Sequence, residues 1–589
     1  MMPIIYTATE DKSFLDDIPA CIKRDKAAEE ASVLLSYPIV YIHFWPGKPI
    51  EYTDRKGRKV IRERFNVYIG ESNDIVSRTK EHYATSLKEK NWVFTLNSEG
   101  QVSEIVIIGH PHFNKSFTLD VENRLIDYIA PGDNIERLFN ARGNPQNEYY
   151  PVEEFDTVFQ EIWRRLRRHN KDLFLSLSEI EKSAFFKASP LKKLTEDQID
   201  AKEEILSRIY DALHDNKEGQ LIFVEGEAGT GKTVLNSALF YELITRGQEL
   251  FGIDIDCHLL VNHDQQLSVY QQIARRLNLG EDHVHKPTSF INKYSEENKV
   301  DVSFIDEGHL LLTQGKMGYT GHNQLDDIMK RSRVTVIMFD EYQVLTAEEY
   351  WEPAVLDRFK MLAYSQRNLL GLTQQLRMQC SESTQKWIKS FVEFRTILPF
   401  EKDTKYELLS FDSPSELHKA IKKCAQTYPL SRVVATYDWP YKQDSPPVSG
   451  RYWSVIIDNW TLPWNYETED TLTKKEKRAN KSKAWAEQEH TIDEVGSTFT
   501  IQGFDLSYVG VILGPSVKYR NGEVIFDPSA SHNNKATQRR TLNDGSKISF
   551  GETFIRNEVK VLLTRGVKGL FIYACDDALR EALKNIAKI

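Results

Sequence analysis

The sequence lacks the closely spaced cysteines of a zinc site or a redox motif. Its five cysteines are scattered, and no two have C-x-x-C spacing: Cys21, Cys257, Cys380, Cys424 and Cys575. We therefore expect reduced, mostly buried thiols. The chain also has no apolar run of about 18 residues, the length of a membrane span. Its first residues lack the basic-then-apolar order of a signal peptide. These absences predict a cytoplasmic protein without a membrane segment.

An excess of basic charge is missing as well. Lys and Arg number 76 against 86 Asp and Glu, which gives a formal net charge of −10. This balance argues against a protein that binds nucleic acid over its whole surface. Local binding is still allowed, because it depends on basic patches and not on the net charge. Basic clusters at 55–64, 164–168 and 474–483 are candidate patches. Each pattern is also typical of a solvated helix or loop face.

What the sequence does contain is an α/β alternation of strand and helix patterns. The 589 residues are enough for about three or four domains. Residues 1–150 form one α/β unit, with predicted strands at 39–44, 65–70 and 104–109 and predicted helices at 75–83 and 119–130. Residues 151–215 are predicted to form a helical connector.

Two successive series of apolar strands follow the connector. They are predicted at 221–225, 258–262, 302–306 and 334–340, and then at 432–436, 454–458, 508–513 and 569–574. Strands that alternate with helices in this way predict two lobes with parallel sheets, at 216–400 and 401–589. The polar stretch 467–489 interrupts the second series and is an exposed helix or a mobile insertion.

A glycine-rich motif follows the first strand of this region. Strand 221–225 leads directly into a G-x-x-x-x-G-K-T pattern made of Gly226, Glu227, Ala228, Gly229, Thr230, Gly231, Lys232 and Thr233. Glycines here let backbone N–H groups surround a phosphate at a helix N-terminus. We expect Lys232 to reach the β- and γ-phosphates and the Thr233 hydroxyl to bind Mg²⁺. The strand–loop–helix context predicts a nucleotide-binding P-loop.

A pair of acidic residues ends a later strand. The apolar segment 302–305 is followed by Asp306 and Glu307. In P-loop enzymes, a carboxylate on a second buried strand completes the Mg²⁺ site, and a further polar group orients the attacking water. We expect Asp306 to hold Mg²⁺ and Glu307 to polarise the water.

Further motifs resemble those of superfamily 1 helicases and occur in the same order. Asp340 and Gln343 follow the next strand, where such helicases place a glutamine that senses the γ-phosphate. Arg377 ends the segment Leu-Thr-Gln-Gln-Leu-Arg, which resembles the motif whose arginine contacts the same phosphate. Charge builds up on the γ-phosphate during cleavage, so arginines from a facing lobe would couple lobe closure to hydrolysis.

The remaining motifs complete this resemblance. Gln502 and Gly503 lie in a segment similar to the Gln-Gly-acidic motif that links nucleotide to nucleic acid, and Arg565 resembles the arginine finger of the final motif. Gln198 lies where such proteins place an adenine-reading glutamine. In detail, the motifs most resemble the Schlafen-group-3-like helicase domains. The resemblance implies two RecA-like lobes that bind ATP and Mg²⁺.

The N-terminal region contains a second candidate site. Tyr41 and Tyr68 lie on two predicted strands, and Glu122 lies on a later helix. Arg78 and His82 are four residues apart, on one face of the predicted helix 75–83. This set, within residues 38–147, resembles the GIY-YIG nuclease domain. The resemblance implies that the two tyrosines act on the attacking water, Arg78 on the phosphate and Glu122 on one Mg²⁺, with assistance from His82.

Two features depart from the nuclease pattern. The first half-motif ends in Tyr41 without the family's leading glycine, and the basic insertion 45–64 separates Tyr41 from Tyr68. The asparagine that closes the family motif is Asn144 or Asn147. The same tyrosines also fit sheet-packing aromatics, and the candidate glutamate also fits a solvated helix carboxylate.

Together these patterns predict an ATP-dependent motor, a helicase or translocase, coupled to a Mg²⁺-dependent GIY-YIG endonuclease. Such a pairing suits defence against foreign DNA, by analogy alone. The alternative is an ATP-switched nucleic-acid-binding regulatory protein whose N-terminal unit recognises without cutting. A third hypothesis is a motor that translocates on duplex without unwinding it. The expected partner is nucleic acid, DNA rather than RNA, and oligomerisation is left open.

Overall fold

A computed structural model gives the fold of the chain. It describes residues 2–53, 59–84, 92–140, 149–315, 318–400, 402–442, 445, 447, 450–465, 468, 471–480, 484–501, 505–542 and 544–584. The chain divides into two units, one of residues 1–196, 233–259 and 264–285 and the other of residues 197–232, 260–263 and 286–589. No helix within the described ranges is long and apolar enough to cross a bilayer.

A mixed five-stranded sheet organises the N-terminal part of the first unit. Its strands and the neighbouring hairpin are β1 (Ile4–Thr9), β2 (Ile39–Pro46), β3 (Ile50–Thr53), β4 (Lys59–Arg62), β5 (Phe65–Ser72), β6 (Glu104–Gly109) and β7 (Ile135–Leu138). The helices are α1 (Lys12–Asp16), α2 (Ile18–Asp25), α3 (Ala28–Ser36), α4 (Ile75–Ala84), α5 (Trp92–Ser98) and α6 (Lys115–Ile129). The order in the sheet is β1-β6-β2-β5-β7, while β3 and β4 pair separately.

The three strands predicted for this region are confirmed as β2, β5 and β6. Strand β2 lies antiparallel to β5, with Tyr41 opposite Gly70 and His43 opposite Tyr68. An antiparallel pair needs no crossover helix, so the insertion 45–64 is enough to connect the two strands. Helix α6 begins at Lys115, earlier than predicted, because the Asn114 side chain caps it by accepting a hydrogen bond from the Phe117 N–H at 3.0 Å.

The segment 151–215, predicted to be mostly helical, contains four α-helices. They are α7 (Phe155–His169), α8 (Leu177–Lys182), α9 (Ala184–Ala188) and α10 (Glu196–His214). Along α7, Phe155, Phe159 and Trp163 recur every four residues, are all buried and stack in sequence. A repeat near 3.6 residues places such side chains on one face of a helix. The basic cluster that includes Arg167 and Arg168 therefore ends an amphipathic helix.

The next stretch of the chain contains the first parallel sheet, which we call sheet 1. The strands in this stretch are β8 (Gln220–Gly226), β9 (Cys257–Val261), β10 (Val284–His285), β11 (Val300–Asp306), β12 (Ser332–Phe339) and β13 (Leu369–Leu372). The helices are α11 (Lys232–Phe251), α12 (Asp264–Arg276), α13 (Pro287–Lys293), α14 (Gln324–Met329), α15 (Pro353–Ser365) and α16 (Glu382–Val392).

Four strands of sheet 1 position the candidate nucleotide site. They lie in the order β11-β12-β8-β13, and every neighbouring pair is parallel. In β8, β11 and β12 the runs of Val, Ile, Leu and Phe are buried, which is typical of a parallel sheet covered on both faces, whereas β13 is only partly buried. Parallel pairing brings the carboxyl ends together, so the segments after Gly226, Asp306 and Phe339 share one edge of the sheet.

A second parallel sheet, sheet 2, follows in the C-terminal part of the chain. The strands there are β14 (Glu407–Ser410), β15 (Arg432–Ala435), β16 (Ser454–Ile457), β17 (Trp460–Pro463), β18 (Val495–Gly496), β19 (Leu506–Leu513), β20 (Val517–Arg520), β21 (Glu523–Phe526), β22 (Arg539–Thr541), β23 (Lys547–Ser549) and β24 (Gly566–Ala574). The helices are α17 (Pro414–Thr427), α18 (Lys474–Asn480), α19 (Thr498–Ile501), α20 (Asn534–Thr537), α21 (Gly551–Leu563) and α22 (Asp577–Lys584). Sheet 2 has the order β14-β24-β19-β15-β18.

One predicted member of this second series was wrong. The segment predicted at 454–458 is β16, which pairs antiparallel with β17 in a separate hairpin and not with sheet 2. Ile457 lies opposite Trp460, and Asp458 has a φ of 50°. An Asp-Asn pair with a left-handed residue is typical of a two-residue hairpin turn. The other three predicted strands are confirmed as β15, β19 and β24, so the protein is α/β with two parallel sheets.

Candidate active sites

The P-loop lies between β8 and α11, as its sequence predicts. Gly229 and Gly231 have φ angles of 92° and 80°, a left-handed region that favours glycine. A Cβ at Gly229 would collide with the side chains of Gln375 and Arg377. A Cβ at Gly231 would likewise collide with the Gln198 amide. Glycine is therefore required at both positions, and the loop keeps its backbone open, as a phosphate cradle needs.

The Lys232 ammonium is directed into this loop. Its Nζ donates to the carbonyl oxygens of Gly226 and Glu227 at 2.6 and 2.8 Å and lies 3.5 Å from Asp340 Oδ2. Only 7% of the Lys232 side chain is exposed. Burial alone would raise the pKa of Asp340, but the neighbouring lysine holds it below its ordinary value. A charged lysine is thus fixed in the cradle, next to an ionised carboxylate.

The predicted acidic residues lie at the carboxyl edge of sheet 1. Asp306 ends β11 and is 1% exposed, and Glu307 follows it with a left-handed φ of 50°. A non-glycine residue in that conformation is strained, and such strain is common at functional sites. The Nε2 of His309 lies 3.4 Å from Glu307 Oε2. Sequence reasoning missed His309, although the sequence shows a histidine two residues after the acidic pair that ends the strand.

Gln343 joins the same edge through Asp340. Its Nε2 donates to Asp340 Oδ2 at 2.7 Å, and the Tyr342 N–H donates to the other carboxylate oxygen at 3.1 Å. Lys232, Asp340 and Gln343 therefore form a continuous polar chain beside the P-loop. The prediction placed these three residues in one site, and the structure brings them together.

The segment that carries Arg377 is tied to the P-loop by its neighbours. The Gln375 Nε2 donates to Ala228 O at 2.7 Å, and the Leu376 N–H donates to Gly229 O at 2.8 Å. The Arg377 Nε lies 2.5 Å from Asp505 Oδ1. Arg377 thus lies beside the cradle and is paired with the acidic residue that closes the Gln-Gly-acidic motif.

Arg565 approaches the same place from the end of α21. It is 1% exposed, and burial together with the nearby Arg377 charge lowers its pKa to about 10. The carboxylates of Asp505, Glu307 and Asp340 act in the opposite direction on that pKa. Because this influence falls off with distance, Arg565 lies near Arg377 and near the acidic edge of sheet 1.

The remaining predicted residues of this site are Gln198, Gln502 and Gly503. Gln198 is 4% exposed, and its Nε2 lies 3.3 and 3.4 Å from the carbonyl oxygens of Thr230 and Gly231. It therefore supports the P-loop backbone, and adenine recognition stays a prediction. Gln502 and Gly503 lie outside the described residues.

Lys560 is a residue of the site that sequence reasoning missed. Its Nζ lies 2.7 Å from Glu393 Oε1, 3.3 Å from Glu227 Oε1 and 3.3 Å from the centre of the Tyr342 ring. A small cavity brings it together with the predicted residues, since its lining comprises Glu227, Ala228, Asp340, Tyr342, Gln343, Lys560, Val561 and Thr564. The available signal was a lysine within the apolar run of α21.

Comparison with known proteins identifies this region. Residues 219–576, more than half of the chain, match the family described as Schlafen group 3, DNA/RNA helicase domain. The chain belongs to this family. The Uncharacterized protein YPL245W of Saccharomyces cerevisiae is 30% identical over 430 residues, which are 67% of this chain and 91% of that protein. The helicase-domain range contains every predicted nucleotide-site residue except Gln198.

Two solved structures also align with the chain. The PRRSV helicase has a TM-score of 0.26 and 11% identity, and the alignment covers 62% of this chain and about half, 54%, of that chain. The Pif1 helicase from Bacteroides, in complex with ADP-AlF3 and ssDNA, has a TM-score of 0.25 and 12% identity, and the alignment covers 64% of this chain and 92% of that one.

The N-terminal candidate site lies outside the helicase-domain range. The Tyr41 and Tyr68 rings lie on adjacent strands with their centres 6.2 Å apart. The Tyr41 hydroxyl is 2.9 Å from His82 Nε2 and accepts from Arg78 Nε at 3.3 Å. Burial, with the His43 and Arg78 neighbours, lowers the pKa of His82 to about 3. The imidazole is therefore neutral at ordinary pH and shares a hydrogen bond with the Tyr41 hydroxyl.

Glu122 is electrostatically part of the same cluster. Burial, reinforced by the Glu71 carboxylate, raises its pKa to about 8. The Glu122 charge in turn contributes to the raised pKa of Tyr68. A buried carboxyl that shares a site with a second one is suited to a divalent cation, which would stabilise both charges. The five predicted residues therefore come together, and Glu71 is an addition that the prediction missed.

Asn140 holds Glu122 in place. Its Nδ2 donates to Glu122 Oε1 at 3.0 Å and to Ile69 O at 2.8 Å, which joins α6 to β5. The predicted motif-closing residues, Asn144 and Asn147, lie outside the described residues. The signal for Asn140 was present in the sequence, since it is an asparagine shortly before both of them.

Proposed function

We propose that the chain is an ATP-dependent nucleic-acid motor coupled to a Mg²⁺-dependent endonuclease. The motor would occupy lobes at 216–400 and 401–589, and the GIY-YIG-like nuclease would occupy 1–150, with the connector 151–215 between them. The observation that carries the motor proposal is the approach of Arg377 and Arg565 to the edge that holds Lys232. Membership of a DNA/RNA helicase family supports the same proposal.

The P-loop residues fit ATP and Mg²⁺. Backbone N–H groups of 226–231 and the Lys232 ammonium would bind the β- and γ-phosphates. Thr233 and Asp306 would hold Mg²⁺, which neutralises phosphate charge when it is bound. Glu307 would polarise the attacking water, and Gln343 would sense the γ-phosphate through its bond to Asp340. Gln198, Gln502 and Gly503 keep their predicted roles in binding adenine and in coupling to nucleic acid.

The two arginines would supply positive charge where negative charge develops. Arg377 lies close enough for its charge to lower the pKa of Arg565. Their mutual repulsion falls when an anion lies between them, so the γ-phosphate would draw both arginines toward Lys232. Because Lys232 belongs to the lobe 216–400 and Arg565 to the lobe 401–589, closure of the two lobes and hydrolysis would then be coupled.

The nuclease proposal assigns each clustered residue a role. Tyr41 and Tyr68 would position the water, and His82 would assist through its contact with the Tyr41 hydroxyl. Arg78, 3.3 Å from the Tyr41 hydroxyl, would neutralise the phosphate. Glu122 would hold one Mg²⁺, which stabilises the leaving oxygen when it is bound. The substrate would be DNA rather than RNA, and defence against foreign DNA is the setting that this pairing suits.

An ATP-switched binding protein with a non-cutting N-terminal unit is the competing function. The raised pKa of Glu122 favours it, because a protonated carboxyl binds no Mg²⁺. The deciding assay measures ATP hydrolysis and strand cleavage together, with single- and double-stranded DNA and RNA. The proposal expects stimulated hydrolysis and Mg²⁺-dependent cleavage. Stimulated hydrolysis without cleavage of any substrate would favour the competing function.

Lys560→Met is expected to weaken the apparent affinity for ATP by about tenfold, the size of a moderate coupling energy. The substitution removes the ammonium that bridges Glu227 of the P-loop and Glu393. ATP titrations that separate KM from kcat test this expectation, and Lys560→Arg should restore most of the affinity. The matched control is Lys568→Met, which loses a bond to Gln379 at 3.2 Å and a contact with the Tyr428 ring, whose centre lies 5.2 Å from the lysine Nζ. Equal KM values for Lys560→Met and the control would contradict it.

A further inference from the structure

Two histidines and an aspartate come together in the first unit, apart from the residues discussed so far. Asp256 precedes β9, His258 is the second residue of β9, and His283 ends the one-turn helix Glu281–His283 before β10. One ligand atom from each residue lies within 4.8 Å of the others. No other trio of His, Cys, Asp or Glu meets this distance within the part of the chain that the structure describes. We propose that Asp256, His258 and His283 form a zinc site.

The orientation of His283 suits a metal ligand. Its Nδ1 lies 2.9 Å from the carbonyl oxygen of Cys257. A carbonyl only accepts, so Nδ1 carries the proton, and the lone pair of the ring is on Nε2. Zinc-bound histidines characteristically donate their other nitrogen to a carbonyl or carboxylate in this way, which fixes the tautomer.

His258 and Asp256 already contact each other. The His258 Nε2 lies 3.0 Å from Asp256 Oδ1. Zinc–nitrogen and zinc–oxygen bonds of about 2.0–2.2 Å place neighbouring tetrahedral ligands roughly 3.3 Å apart. An ion could therefore bind between these two atoms with little movement of either side chain.

The site also has room and a rigid frame. Gly280 has a φ of 85°, and a Cβ there would lie 2.9 Å from Cδ2 and 3.5 Å from Nε2 of His283. Glycine thus keeps open the ring edge that carries the lone pair. The Arg275 guanidinium contacts both Glu281 carboxylate oxygens at 2.6 Å and holds the turn to α12. The His258 side chain is 3% exposed and that of Asp256 is 52% exposed, which gives an ion a path from solvent.

The donor set selects the class of ion. Two imidazoles and a carboxylate suit zinc, whereas Mg²⁺ and Ca²⁺ prefer oxygen ligands alone. Three protein ligands leave the fourth position to water. The bound ion would join the start of β9 to the turn before β10, and its role would be to stabilise the packing of these two segments. This inference does not depend on the proposed motor or nuclease.

Zinc titration of the full-length, tag-free chain, stripped with a chelator, tests the site. We expect one zinc per chain. His283→Gln should weaken binding on the order of 100-fold or more, since loss of an outer-sphere partner alone costs up to about that factor. The control His285→Gln changes a ring 5.3 Å from His258 and should leave binding intact.

Two results would overturn the zinc proposal. One is a wild-type chain that binds no stoichiometric zinc, and the other is a His283→Gln variant with wild-type affinity. Asp256→Asn provides a second variant that changes a largely exposed side chain, so the test survives if the histidine variant misfolds. Circular dichroism on every variant, with and without zinc, separates loss of the ligand from loss of the fold.

Discussion

Lys232→Ala should reduce ATP turnover by at least about 100-fold, the size of effect seen when one preorganised electrostatic donor is removed from a reaction centre. The ammonium lies inside the P-loop, bonded to Gly226 and Glu227 carbonyls and 3.5 Å from Asp340. Alanine removes the charge that would meet the β- and γ-phosphates. Phosphate release with saturating nucleic acid measures the loss.

The control for this variant is Lys217→Ala. Lys217 is about half exposed and pairs only at the surface, with Asp215 at 2.9 Å, so its loss should leave turnover unchanged. Undiminished hydrolysis in Lys232→Ala would show that the phosphate cradle is assigned to the wrong loop.

Glu122→Gln should abolish Mg²⁺-dependent cleavage, a loss on the order of 100-fold or more, while ATP turnover survives. A direct metal ligand is expected to matter at least as much as an outer-sphere one, whose loss costs about 10–100-fold. Glutamine keeps the shape and still accepts from Asn140, so the sheet and α6 should remain folded. Cleavage of labelled DNA and RNA across a Mg²⁺ titration measures the effect.

The matched control for the nuclease variant is Glu29→Gln, which changes an exposed carboxylate in the first turn of α3. The Glu29→Gln variant should cleave nucleic acid at the wild-type rate. Arg78→Gln should lose cleavage as Glu122→Gln does, because both side chains belong to one cluster. Cleavage that persists in both site variants would remove the basis for the nuclease assignment.

Most of the correct predictions came from motifs that lie on a predicted strand or directly after one. The P-loop follows a buried strand, and Asp306 ends another, so parallel pairing was enough to bring their ends together. The placement of the tyrosines on strands and of Arg78 on a helix was predictable because strand and helix periods are local properties. Local pattern therefore predicted the position of each motif.

Contacts between distant segments could not be predicted in this way. Lys560 reaches Glu227 and Glu393, and Asn140 reaches Glu122, through tertiary packing that no local period encodes. The prediction for β16 was wrong for a related reason. A four-residue apolar segment has the same sequence pattern in a parallel sheet and in a hairpin. The left-handed turn at Asp458 decides between the two structures.

The most direct test of the motor is single-turnover hydrolysis by Arg565→Gln, with nucleotide binding measured in parallel. Arg565 is buried near Arg377 and the sheet 1 carboxylates, so its charge should act on the γ-phosphate as the bond breaks. The account predicts near-normal ATP binding and a hydrolysis rate lower by about 1000-fold, as for loss of an arginine finger. Hydrolysis at the wild-type rate by a folded Arg565→Gln protein would contradict it.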